Sequence, residues 1–303
     1  GTRMLRYAIA EKSRRDHARR YLERTVLPYV AKKADLSKNK DVTLVLSISD
    51  THATYLDPFT WFVFLDTAKQ LKPDYIVLNG DILEGGEISR FPKIPGYNVS
   101  LQLEFDFAKE MFRQLRKASP GSVIIWTAGN HDLDRLASYL TQEASGLSSL
   151  DNNRFDELAG VKQYGILLAQ GGSFVSPKGQ ENDAPGVLLN DFYRIYHGTS
   201  LGKSPGISEL LAANRSGQSG HVHRGSVVYA TAEVDATKTW MTTPMGCDFI
   251  AGRAYMKGLS TGWQKGFGVA FLMKGGRVHH YPVVTNDGVA VVEGFVYKQP
   301  KTS

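Results

Sequence analysis

An α/β fold built on a parallel sheet is the class this 303-residue sequence predicts, on three observations. Continuous apolar runs of strand length, VTLVLSIS, YIVLN and SVIIWT, succeed one another between residues 42 and 127. The stretches between them carry helical spacing and helix-start signals, so strand and helix alternate as in β-α-β units. Polar residues able to carry chemistry crowd in directly after the strands. In open sheets of this kind the carboxyl ends of the strands line the ligand crevice.

The elements follow in order. Leu5, Ile9, Ala18, Tyr21, Leu22, Tyr29 and Val30 have helical spacing within a basic segment, interrupted near Pro28. ADLSKNKD is a polar linker to the first strand. Asp57-Pro58 opens a helix to about Leu71, because proline at a first-turn position has no needed N–H to lose. YIVLN is a second buried strand. After a glycine- and proline-rich loop, Ser100 can cap a helix to about Lys117, and SVIIWT makes the third strand.

Residues 135–190 are less regular, and GGSFVSPKGQENDAPG reads as an exposed loop. FYRIYHG returns to strand and ISELLAAN to a short helix. Beyond 225 the chain turns to sheet, with SVVYATA, FGVAFLM, the turn KGGR and VHHYPVV. NRSGQSG offers no apolar strand ahead of Gly220 and His221, so the turn carrying His221 is expected to be loosely held. There is no internal repeat.

Composition excludes several classes. With 42% hydrophobic and 22% charged residues the chain can bury a sizeable core, and no apolar run approaches a membrane span. Cys247 is the single cysteine, which excludes an intrachain disulfide framework. A charged N-terminus without a signal-peptide stretch agrees with a cytoplasmic location. The charge is segregated. Residues 1–40 hold twelve Lys/Arg against four acids, a net of +8, while the whole chain is +6, leaving −2 for residues 41–303. That divides the chain into a basic helical arm (1–40) and a nearly neutral body (41–303). An arm of this charge suggests an acidic partner, nucleic acid above all.

The chemistry lies in five short motifs. LSISDTH ends the first strand with Asp50 and His52, and LNGD ends the second with Asp81. TAGNHD ends the third with Asn130, His131 and Asp132. IYHG supplies His197, and GHVH supplies His221 and His223 on alternate residues. Carboxylate and amide oxygens mixed with imidazoles suit divalent Mn, Fe or Zn.

In this order and on these elements, D-x-H, G-D, G-N-H-D, H and G-H-x-H resemble the calcineurin-like metallophosphoesterases. A looser likeness over about residues 42–275 (GDILEGGEISRF, LEFDFAKEMFRQLR, GWQKGF) is to phosphoesterases encoded by bacteriophages, which would place the protein in the host cytoplasm. The family resemblance implies a sandwich of two central β-sheets flanked by helices, and two divalent ions, manganese first, with Fe, Zn, Ni and Mg as alternatives. It implies Asp50, His52 and His223 on one ion, Asn130, His197 and His221 on the other, and Asp81 bridging. It makes His131 a donor toward the leaving oxygen, with Asp132 placed to orient it.

Arg135 and Arg90 are candidates to hold a phosphate, and Glu84 lies where some relatives carry another acid. The implied reaction is attack on phosphorus by a hydroxide shared between the ions. A phosphodiesterase or nuclease acting on nucleic acid is the leading expectation. The alternatives are a phosphomonoesterase with the same centre and a nucleic-acid-binding protein with a structural metal site. GTSLGKS spaces its glycines by three residues where a phosphate-cradling loop needs four, and His279-His280 read as strand residues.

Overall fold

The structure is a computed structural model and describes residues 40–90, 99–169, 186–231, 237–249 and 262–300. The basic helix expected within residues 1–39 and nearly all of the loop expected at 171–186 lie outside the described residues.

The first strand, β1 (Val42–Ile48), turns Leu44, Leu46 and Ile48 to one face of its sheet and Val45 to the other, and all four are buried. Burial on both faces is why its sequence runs apolar without alternating. A helix follows, α1 (Pro58–Leu71), started by Asp57, whose carboxylate accepts the Thr60 N–H at 2.8 Å. Next come β2 (Tyr75–Leu78), α2 (Leu101–Ala118), capped by the Ser100 hydroxyl on Leu103 N–H, and β3 (Val123–Thr127). A wide π-type turn over Asn130–Asp134 leads into α3 (Arg135–Gln142), then α4 (Phe155–Ala159) and β4 (Ile166–Ala169). The second half comprises β5 (Val187–Leu189), β6 (Tyr193–Ile195), α5 (Pro205–Ala213), β7 (Gly217–Ser219), β8 (Ser226–Ala230) and β9 (Lys238–Thr242). It ends with β10 (Gly266–Met273), β11 (Arg277–Val284), β12 (Val289–Val292) and β13 (Phe295–Lys298).

Two sheets organise these strands. The first has the order β11-β10-β1-β2-β3-β4, with β1 to β4 parallel and β10 and β11 antiparallel. The second has the order β5-β6-β7-β9-β8, in which β6, β7 and β9 are parallel; β12 and β13 form a separate hairpin. Register aligns Leu46, Ile76, Ile124 and Ile166 across the first sheet, and this row packs with Phe64, Phe112 and Trp126 in the main core. The opposite face sets Val45, Val77 and Ile125 against Leu189, Tyr193 and Ile195 of the second sheet. On the second sheet, α5 packs Leu210 with Tyr196 and Trp240. The result is two central sheets with flanking helices. No described helix is long and apolar enough to cross a membrane.

One expectation needs correction. The segment before His221 does enter a strand, because Gly217–Ser219 forms β7 in the middle of the second sheet, fully buried. Its polar side chains are engaged by neighbours. Gln218 accepts from the Tyr193 hydroxyl and Ser219 from the Trp240 indole N–H. Gly217 is glycine because the Trp240 ring and the Arg194 carbonyl occupy the space of a side chain, the nearest atom being 2.3 Å from a built Cβ. A strand that packs through hydrogen bonds carries no hydrophobic pattern.

Candidate metal centre

The parallel strands of both sheets deliver their carboxyl ends to one place. Asp50 follows β1, Asp81 follows β2, Asn130 follows β3, His197 follows β6 and His221 follows β7. Ligand-type atoms gather there in three overlapping triads: Asp50, His52 and His223; His52, Asp81 and His131; and Asp81, His197 and His221. Within each triad the atoms lie within 4.8 Å of one another. His223 Nε2 is 3.1 Å from Asp50 Oδ1, and His197 Nε2 is 3.0 Å from Asp81 Oδ2. His221 Nδ1 stands 3.3 Å from His197 Nε2.

The backbone is bent to achieve this convergence. Asp50, His52, Asp81, His221 and His223 all have φ between 48° and 68°, a left-handed conformation that costs side-chain-bearing residues energy. Surrounding bonds hold it: the Asp50 N–H donates to Gly80 O, His52 N–H to Asp81 O, and Cys247 N–H to Asp50 O. Two motif glycines leave room for the ligands. A Cβ on Gly80 would fall 2.3 Å from His197 Nδ1, and one on Gly129 would fall 2.3 Å from Asp81 Oδ1.

Burial and charge compete at every group. Burial pushes the Asp50 and Asp81 carboxyls up, but the imidazoles beside them reverse this and hold both below the carboxylate range. Burial lowers His52 and His197, yet Glu84 raises His52 to about 9, and Asp81 raises His197 to about 10. His221 is lowered, by burial and then by His197. Carboxylates this strongly negative, packed among imidazoles, are a donor set that fits divalent cations. A second observation agrees: among the described residues, the Asn130 Oδ1 and the His223 Nδ1 are buried without a hydrogen-bond partner.

His131 is held otherwise than the sequence suggested. Its Nδ1 lies 3.1 Å from the Glu84 carbonyl, and its Nε2 lies 3.0 Å from the Arg135 guanidinium. A guanidinium can only donate, so Nε2 accepts and the proton sits on Nδ1. Asp132 does not orient this ring. Its Oδ1 accepts from Leu83 N–H, and its Oδ2 accepts from Gly129 N–H and the Trp126 indole. Buried and close to Asp81, the Asp132 carboxyl is pushed up to about 7. The orienting groups are Glu84 and Arg135 instead. Glu84 Oε2 approaches His52 Nδ1 to 2.8 Å and His131 Nδ1 to 3.3 Å, and Oε1 meets Arg135 at 3.3 Å. In this arrangement Arg135 is committed to Glu84 and His131, whereas Arg90 is exposed at the rim of a cavity that reaches Asn130 and His131.

Sequence reasoning passed over two buried carboxylates that brace these loops. Glu104 on α2 accepts the Glu84 and Gly85 N–H groups at 2.9 and 2.7 Å. Glu209 on α5 accepts from Thr199 and Ser200, both within GTSLGKS, so two backbone donors of that phosphate-loop lookalike are already taken. The signal was faint: a single glutamate on the buried face of each helix. Trp263, in GWQKGF, packs edge-on against the His223 ring at 4.4 Å, and Gln264 N–H donates to the His223 carbonyl. His279-His280 stay apart from the centre, on β11.

Two carboxylates, an amide and a set of imidazoles presented at the ends of two facing sheets belong to a metal-dependent phosphoesterase, a hydrolase of ester bonds. The chain belongs to the calcineurin-like phosphoesterase family, whose model matches residues 43–233 and so spans every motif from Asp50 to His223. The family centre is dinuclear. No curated protein sequence matches the chain significantly. Among solved structures it is similar to vacuolar protein sorting 29 from Cryptosporidium parvum, at 14% identity and a TM-score of 0.39, covering 86% of this chain and 100% of that one. It is also similar to a dimetal phosphatase from Danio rerio, at 10% identity and a TM-score of 0.35, covering 84% and 98%.

Proposed function

We propose that this metal-dependent phosphoesterase is a phosphodiesterase that cleaves nucleic acid. The observation that carries the substrate is the segregation of charge: a net of +8 within residues 1–40 beside a body of −2. Arg14, Arg15, Arg19 and Arg20 at helical spacing would bring several guanidiniums to one stretch of phosphate backbone. The looser likeness of residues 42–275 to phage-encoded phosphoesterases points the same way.

At the centre, the overlapping triads support Asp50, His52 and His223 around one ion and His197 and His221 around a second, which the buried Asn130 Oδ1 would complete. Asp81, which shares a triad with ligands of each, would bridge them. Manganese suits the mixture of oxygen and imidazole donors, with Fe, Zn, Ni and Mg as alternatives. Two bound ions supply Lewis acidity and an ionised water nucleophile. The chain's own residues do the rest. Glu84 fixes His52 and His131 relative to each other, and His131 faces the site from beside Asn130. For His131 to hand a proton to a leaving oxygen, Nε2 must take one up and Arg135 must release it, freeing that guanidinium for a phosphate oxygen.

The test is a substrate panel with the Mn²⁺-loaded chain: bis(4-nitrophenyl) phosphate, 4-nitrophenyl phosphate, and single- and double-stranded DNA and RNA. Hydrolysis of the diester and of a nucleic acid is expected. Replacing Arg14, Arg15, Arg19 and Arg20 by glutamine should weaken nucleic-acid binding and flatten its salt dependence, by about one log unit per log salt for each lost phosphate contact on duplex DNA. Turnover of the monoester alone would overturn the reading. So would nucleic-acid binding without hydrolysis of any ester.

A further inference from the structure

A cavity of about 330 Å³ opens directly off the metal centre, with Asn130 and His131 in its lining. One wall is the turn at Ile88, Ser89 and Arg90; the other is α3. Arg135, Ser138, Tyr139 and Gln142 recur at the spacing of one helix face, so the sequence of α3 presents a continuous strip to the cavity. Tyr139 is the aromatic residue of that strip. Its side chain is 38% exposed and has no hydrogen-bond or ring partner among the described residues.

The charges of the lining decide what fits. Arg90 and Arg135 are balanced by Asp134 and Glu143, so the formal charge of the cavity is zero apart from His131. A further phosphate is not drawn into such a space, and an uncharged polar group is. The volume lies at the small end for ligand sites, enough for one ring system and its sugar and not for an oligomer. An aromatic face, a primary amide on Gln142 and a hydroxyl on Ser138 match a flat heterocycle with donors and acceptors on its edge.

We propose that this cavity is the subsite for the nucleoside attached to the phosphate held at the metal centre, with the base stacking on Tyr139. The proposal rests on the phosphoesterase reading and deepens it, because it gives the enzyme a preference for nucleotide esters over simple alkyl esters. It also explains why α3 starts immediately after the motif that holds Asn130 and His131: the turn that positions those groups aims the helix strip along the cavity.

The experiment is competitive inhibition of ester hydrolysis by the full Mn²⁺-loaded chain, comparing methyl phosphate with thymidine 3′- and 5′-monophosphates. The nucleotides are expected to inhibit more tightly. In Tyr139→Ala the ratio of the two inhibition constants should fall by roughly 5- to 100-fold, the range of base-aromatic stacking, while Tyr139→Phe should keep it. The ratio is internal to each variant, so a partly misfolded preparation lowers activity without changing it. Equal inhibition by methyl phosphate and nucleotides in the wild type would overturn the proposal. A ratio unchanged in Tyr139→Ala, or a phosphoserine peptide binding more tightly than either nucleotide, would do the same. Calorimetry with the same ligands gives the ratio even if no ester is turned over, which keeps failure of catalysis distinct from failure of the subsite.

Discussion

Replacing His280 with glutamine should make the protein less sensitive to acid. His280 sits on β11 of the first sheet, 7% exposed, and joins it to the second. Its Nδ1 lies 2.8 Å from the Tyr193 hydroxyl on β6, and its Nε2 lies 2.8 Å from the Thr239 hydroxyl on β9. Burial, with His279 next to it, lowers its pKa to about 3 from the ordinary 6.5. Below pH 6.5 the unfolded chain therefore takes up a proton that the folded chain refuses. The contribution to stability is complete above pH 6.5 and drains away as pH falls toward 3. At pH 5 the gap is one and a half units, or about 2 kcal/mol, and the limiting value is about 5 kcal/mol. Glutamine can still meet both hydroxyls but does not titrate. Urea unfolding of both proteins at pH 7.5 and pH 5.0 reads the difference, and the other histidines cancel in the subtraction. The wild type should lose about 2 kcal/mol relative to His280→Gln between the two pH values. A difference that stays constant with pH would show that His280 is not held neutral between the sheets.

Two further predictions concern the centre. Asp81→Asn should bring metal content below two ions per chain and abolish turnover, because one carboxylate serves both triads; full activity with two ions by elemental analysis would remove Asp81 from its bridging place. His131→Ala should leave the metal content intact and lower turnover by roughly 10²–10⁴. That loss should shrink for esters with good leaving groups, which need no proton, and an equal loss for good and poor leaving groups would refute the proton-donor role.

The sequence made the first half of the fold readable because its signals are local. β1, β2 and β3 are apolar runs, and Asp57-Pro58 and Ser100 start α1 and α2 at the expected residues. Two of the strands that sequence reasoning passed over are of another kind. β7 packs through Gln218 and Ser219, and β9, with Lys238 and two threonines around Trp240, has no clean period either. Both lie inside the second sheet, where long-range partners set the conformation and local pattern does not. The motif residues were found because each is fixed to a strand end by a few neighbours in sequence. The surroundings of His131 were misread for the opposite reason. Adjacency in GNHD put Asp132 next to the ring, but the π-type turn sends its carboxylate inward to Trp126 and to two backbone N–H groups. Glu84, 47 residues away in the chain, takes the place beside the imidazole.

The same contrast shows where the cost of the site is met. Five candidate ligands sit in left-handed backbone. Backbone hydrogen bonds between the loops hold that conformation, and a pair of carboxylates on the flanking helices braces the segments around it. Glu104 ties down the loop that carries Glu84, and Glu84 grips His52 and His131. Glu209 ties down the chain just after His197, and also accepts from the Tyr196 hydroxyl just before it. Burial pushes the Glu104 carboxyl up, and the backbone N–H donors offset part of that cost and are in turn satisfied. A hydrophobic contact in either place would fill space without fixing an angle. Hydrogen bonds from rigid helices to loop amides fix both, which is the requirement when imidazoles from two separate sheets must meet at one pair of carboxylates.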